Sequence, residues 1–217
     1  MADLTLYIGN KNYSSWSLRA WLAAKTGGIE FDEVLIPLYG PGGREAILAH
    51  SPSGKVPALH HGAVSVWESL AVCEYLAETF PEARLWPADP VARAAARAVA
   101  TEMHGGFAPL RRHLPMNIRR PPAPREIPGD VQTDIDRIAA MWRDCRSRFG
   151  SGGDFLFGGF SIADAMYAPV ASRFDSYRVP LDGVCETYCT AILALPAMRD
   201  WTAAARAEPM TIDSFEV

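Results

Sequence analysis

The chain has 217 residues, 49% hydrophobic, 21% charged and 10% aromatic, with a net charge of −4 at neutral pH. That balance supplies a sizeable core and room for one large domain or two small ones. It speaks against nucleic acid as a partner: apart from Arg111–Arg112 and Arg119–Arg120 the basic residues are scattered, and no basic stripe interleaves with aromatics.

No run of about 18 apolar residues occurs, so no membrane span is expected. The start, MADLTLYIGNKNY, lacks the charged end, apolar run and cleavage site of a leader. Cys73, Cys145, Cys185 and Cys189 form neither C-x-x-C nor a metal-type spacing. Free thiols at apolar positions of helical patterns behave as small hydrophobes. The expectation is a reduced, cytoplasmic protein with no metal.

The first 80 or so residues mix strands and helices. Leu4 to Ile8 reads as a buried strand, and Leu18, Trp21 and Leu22 as a helix face stopped at Gly27-Gly28. Phe31 to Leu38 reads as a second strand, followed by a Gly-rich stretch, Gly40 to Gly43. Val56 to Leu59 and Val64 to Trp67 flank His60-His61-Gly62 and predict a hairpin. Leu70, Cys73, Leu76 and Phe80 give another helix, ended by Pro81. A linker is expected at Leu85 to Pro90.

The second half is helical in period throughout. Val99, Met103, Phe107, Leu110 and Leu114 keep helical spacing, as do Val131, Ile135, Ile138, Trp142, Cys145 and Phe149. Ile162 to Phe174 and Ala197 to Ala207 continue the theme. Arg119 to Gly129 holds four prolines and must be a loop. The fold class is therefore α/β followed by all-α.

Three short motifs carry chemistry. Ser14-Ser15-Trp16-Ser17-Leu18-Arg19 opens the first helix, where a serine can cap. The same end of a helix also favours a bound anion, and a hydroxyl there can donate to a thiolate. A hydrogen bond to a charged group contributes about 1.5–3 kcal/mol, enough to lower a thiol pKa by roughly one to two units. The second motif is Lys55-Val56-Pro57. A proline ahead of a strand is a candidate for a cis bond, beside which the Val56 backbone can pair with a peptide-like ligand. Third, Glu68-Ser69 opens the next helix. It is either an ordinary first turn, or a grip in which Glu68 holds an ammonium and Ser69 a carboxylate.

In this order the three motifs resemble the N-terminal, thioredoxin-like domain of the cytosolic glutathione S-transferases. The likeness is to zeta-like and related bacterial members, which carry Ser-Ser-Cys-x-x-Arg at the first site. The resemblance implies a thioredoxin-like N-terminal domain over residues 1–82 and an all-α C-terminal domain over 88–217. It implies that Ser14 or Ser15 donates to the glutathione sulfur and Val56 pairs with the peptide backbone. Lys55 then serves the glycyl carboxylate, and Glu68 with Ser69 the γ-glutamyl end. Ser161-Ile162-Ala163-Asp164 matches the family's Ser-x-Ala-Asp box, a helix cap. A homodimer is also implied.

The second-substrate pocket is expected at Trp16, Met103, His104, Phe107, Arg111 and Arg173, with Met116 nearby. Arg173 either binds an acidic acceptor or pairs with Asp175 or Glu186. Trp16 stands where zeta members have cysteine, which sets an indole wall beside the sulfur. The expected function is attack of glutathione thiolate on a small electrophile. The alternatives are glutathione-dependent cis–trans isomerisation of an unsaturated keto acid (maleylacetoacetate-like), or binding without turnover.

Overall fold

Leu4, Leu6 and Ile8 are buried while Thr5 and Tyr7 between them are half-buried, the period-two signature of a strand with one face on the core. This strand, β1 (Leu4–Ile8), is central in the sheet of the computed structural model, which describes residues 3–39 and 42–217. It pairs in parallel with β2 (Asp32–Leu35) and antiparallel with β3 (Ala58–His61), which pairs antiparallel with β4 (Val64–Trp67). The order across the sheet is β2-β1-β3-β4. Helices α1 (Ser15–Thr26), α2 (Gly43–Leu48) and α3 (Ser69–Thr79) complete this half.

Both shifted strand boundaries trace to proline. The second strand stops at Leu35 rather than Leu38, ahead of Pro37, which has no N–H to continue a ladder. Likewise β3 begins at Ala58, just past Pro57, and runs through His60 and His61, so the turn moves to Gly62-Ala63. Of the Gly-rich stretch, Gly40 and Pro41 lie outside the described residues. Gly42 has φ +75°, a conformation that favours glycine, and precedes α2 directly.

The second half contains α4 (Pro90–Gly105), α5 (Ala108–His113), α6 (Gly129–Phe149), α7 (Ile162–Ser176), α8 (Gly183–Ala194) and α9 (Pro196–Ala207). The apolar period from Val99 to Leu114 does not make one helix. Gly106 turns extended and Phe107 takes φ +60°, so α4 and α5 are separate. The periodic residues of α6 from Val131 to Cys145 are all buried, and Trp142 packs edge-on to Tyr188 at 4.7 Å and Tyr167 at 5.7 Å. Helix α7 is buried all round except at Asp175, as a central helix must be. It packs on α4, α8 and, across the two halves, on α1. All four cysteines are free and buried.

Ser161 and Asp164 cap α7 as their spacing predicts. The Asp164 carboxylate receives the Ser161 N–H at 2.8 Å and its O–H at 2.9 Å. It also takes the Leu156 N–H at 3.0 Å and the Tyr188 O–H at 3.1 Å, so the cap ties three segments together. Burial pushes the Asp164 carboxyl up to about 6, against the pull of those donors.

Candidate active site

The loop Asn10–Tyr13 leads from β1 to Ser14, the N-cap of α1, whose hydroxyl oxygen accepts the Ser17 N–H at 3.3 Å. The Ser14 hydroxyl also donates to Ser17 Oγ at 2.8 Å, and Ser17 Oγ accepts the Gly9 N–H at 3.0 Å. A chain of polar groups thus runs from the end of β1 through Ser17 to Ser14. Ser15, the first residue of α1, is buried and its side chain has no hydrogen-bond partner among the described residues. Ser14 and Ser17 satisfy the helix end, while the Ser15 hydroxyl is uncommitted.

The Val56–Pro57 peptide bond is cis, as the position of the proline suggested, and Val56 is half-buried beside it. Lys55 is exposed, with Nζ 3.8 Å from Glu68 Oε1. Glu68 has φ +71° and occupies the N-cap of α3 without a side-chain capping bond. A positive φ at a non-glycine residue has a cost, and such residues cluster where ligands are held. Ser69 is fully buried and its hydroxyl has no partner among the described residues. Neither side chain caps the helix among the described residues. Glu68 lies within ion-pair reach of Lys55, and the Ser69 hydroxyl stands at a helix N-terminus, where a carboxylate is favoured.

His104 of α4 bridges the halves, with Nε2 3.7 Å from Glu68 Oε2. Its Nδ1 is buried without a partner among the described residues. Burial, then the charge of Arg19, holds its pKa below the ordinary value, so the ring is neutral near pH 7. The Trp16 ring stands edge-on to His104 at 5.2 Å. The Arg111 guanidinium lies 5.4 Å from the Trp16 centroid and donates to the Met103 carbonyl at 3.3 Å. Trp16, His104 and Arg111 are thus brought together. Met103 and Met116 are core residues, and Phe107 is nearly so.

Arg173 pairs with neither Asp175 nor Glu186. Its guanidinium is buried and donates to the carbonyls of Leu114 at 2.7 Å and Pro169 at 3.2 Å, while Asp175 pairs with Arg178. Burial lowers its pKa to about 10. Two residues gained weight only with the fold. Ser17 is the link behind Ser14. Arg19 is wholly buried, 4.3 Å from the Trp16 centroid, and all three of its guanidinium nitrogens lack a hydrogen-bond partner. Burial first, then Arg173 and Arg111, lower its pKa to about 9. The available signal was a charge beside Leu18 on the apolar face of α1.

Residues 13–79 match the N-terminal domain model of the glutathione S-transferases, and residues 93–204 match their C-terminal domain model. A maleylacetoacetate isomerase of Rattus norvegicus is 30% identical over 180 residues, covering 81% of this chain and 80% of its own. A maleylacetoacetate isomerase of Pseudomonas aeruginosa is 34% identical over 122 residues, 54% of this chain and 56% of its own. A crystal structure of a Burkholderia glutathione transferase homologue with bound glutathione superposes with a TM-score of 0.71 at 23% identity. That match covers 94% of this chain and 99% of the other, and shows a shared fold. With a thioredoxin-like domain, an all-α domain and both family models in register, the chain belongs to the glutathione S-transferase family.

Proposed function

We propose that this protein binds glutathione and activates its thiol for attack on a small electrophile held against Trp16, His104 and Arg111. The observation that carries the reading is Ser69. A buried hydroxyl with no partner at a helix N-terminus, beside a carboxylate in a costly conformation, is a receptor for the amino-acid end of a ligand. Glu68 takes the ammonium and Ser69 with the α3 amides the carboxylate of the γ-glutamyl group. Val56 pairs with the peptide backbone and Lys55 attracts the glycyl carboxylate.

Ser14 and Ser15 then serve the sulfur. Glutathione supplies the nucleophile, and the chain supplies donors at the positive end of α1. In the free chain Ser14 donates to Ser17; with glutathione bound the Ser14 proton turns to the sulfur and Ser17, which accepts the Gly9 N–H, donates to Ser14 in its place. Ionising and positioning the thiol is the catalytic contribution. On this reading residues 1–82 form the glutathione domain and 88–217 the acceptor domain, in a cytoplasmic homodimer. Among the described residues no helix is long and apolar enough to cross a membrane.

One observation favours a second reading, isomerisation of an unsaturated keto acid. Arg173 and Arg111 depress Arg19, Arg111 depresses Arg173, and among the described residues Arg19 has no hydrogen-bonded counter-charge. Such a cluster suits an acceptor bearing a carboxylate. The indole of Trp16 opposes it by filling space that zeta members give to a thiol. The test is incubation with glutathione and a panel holding an aromatic halide and a maleylacetoacetate analogue. Glutathione adducts support transfer, and rearranged product free of glutathione supports isomerisation. Bound glutathione with no turnover on any compound contradicts both.

A further inference from the structure

The loop before Ser14 is held from far along the chain. Asn10, Lys11, Asn12 and Tyr13 are all buried, although the loop has no regular structure. Glu208, directly after α9, receives the backbone N–H of Lys11 at 2.6 Å and of Asn12 at 3.1 Å. Asn12 donates to the Asn117 side chain at 2.9 Å and accepts the Arg119 N–H at 2.8 Å. The Arg119 guanidinium donates to the Tyr13 hydroxyl at 2.8 Å and to the carbonyls of Met210, at 2.7 Å, and Glu208. That hydroxyl also accepts the Ile212 N–H at 3.2 Å and donates to the Glu216 carboxylate. The Phe215 ring packs on Tyr13 at 5.6 Å.

From these contacts we infer that Glu208 and Tyr13 are positioning residues for the hydroxyls at the start of α1. The segment Glu208–Glu216 is a strap that fixes where Ser14 and Ser15 sit. The inference rests on the reading of those serines as donors to the sulfur. A loop is ordinarily mobile, and a hydrogen bond weakens steeply with poor distance or angle. A donor must be held to within about half an ångström to stabilise a developing charge. Glu208 supplies that restraint at Lys11 and Asn12, and Tyr13 supplies it one residue before Ser14. The γ-glutamyl grip at Glu68 and Ser69 belongs to α3 and does not depend on the strap.

The test measures the pKa of bound glutathione by its ultraviolet thiolate absorbance and, separately, affinity for S-methylglutathione, which has no thiol proton. Native protein, Glu208→Ala, Glu208→Gln, Tyr13→Phe and the double variant Ser14→Ala/Ser15→Ala are compared, with thermal unfolding checked on each. Tyr13→Phe keeps the ring in place should Glu208→Ala fail to fold. Glu208→Ala and Tyr13→Phe are expected to raise the bound thiol pKa by about half a unit to one unit. Affinity for S-methylglutathione should move by less than about two-fold, and Glu208→Gln, which keeps one acceptor oxygen and turns an NH2 donor toward the other N–H, should recover only part of the shift. An unchanged pKa in the folded strap variants, with a raised one in the double serine variant, overturns the positioning role and leaves the sulfur assignment standing. No shift in any variant, the double serine variant included, overturns both. A parallel loss of S-methylglutathione affinity and thiolate overturns the inference in favour of a general structural role.

Discussion

The Arg19 guanidinium lies 4.3 Å from the centroid of the Trp16 ring, and none of its nitrogens makes a hydrogen bond among the described residues. A cation–ring contact of this kind contributes about 0.5–2 kcal/mol, less than the cost of burying a guanidinium without hydrogen bonds. The depression of its pKa to about 9 has the same origin.

Arg19→Met should therefore stabilise the protein by about 1–4 kcal/mol, since a hydrophobe of similar reach replaces an uncompensated charge. Affinity for an acceptor carrying a carboxylate should fall, and affinity for S-methylglutathione should hold. Denaturant unfolding with ligand titration measures all three. A destabilised Arg19→Met means that Arg19 has a partner in solution and is structural.

Glu68→Ala and Ser69→Ala should each weaken glutathione binding about ten-fold, with kcat at saturation nearly unchanged. Both side chains are assigned to the end of glutathione remote from sulfur, so their loss removes binding common to ground and transition states. Steady-state kinetics decides it. A fall in kcat at constant KM would move the pair into the chemical step.

Asp164→Ala should cost about 2–5 kcal/mol, more than a cap on an exposed helix, because it strands the buried donors of Leu156, Ser161 and Tyr188 together. Glutathione affinity should not change in variant protein that remains folded. Chemical denaturation and calorimetric titration check the two halves of this statement.

Much of this was legible along the chain because the signals are local. Strand alternation, helical period, the proline before β3 and the Ser161–Asp164 spacing each act within a few residues. The break between α4 and α5 was hidden because the apolar period runs on through Gly106 and Phe107. Met103 and Phe107 belong to the same stripe, which the fold buries. Ser17 and Arg19 were visible only as motif letters, since their meaning depends on Gly9 behind Ser14 and on α5 and α7 across from α1. The partners of Arg173 are the Leu114 and Pro169 carbonyls, which no charge pattern announces.

His104 should titrate below the ordinary 6.5, because burial and Arg19 disfavour its charged form. The folded protein then binds fewer protons than the unfolded chain between the two values. Its contribution to stability is present above 6.5 and is lost as pH falls through that value toward the folded pKa. His104→Gln should flatten this acid limb of the stability curve. Parallel curves for native and variant protein would place the limb elsewhere.

The central claim is that the start of α1 stabilises the thiolate of bound glutathione, and the most direct measurement is the pKa of that thiol in native protein, Ser14→Ala, Ser15→Ala and the double variant. Ultraviolet titration of the saturated complexes should give a native value about one to two units below that of free glutathione, with most of the difference lost in the double variant. The single variants then apportion the effect between the capping serine and the uncommitted one. A native value equal to that of free glutathione, or four coincident titration curves, would contradict the account.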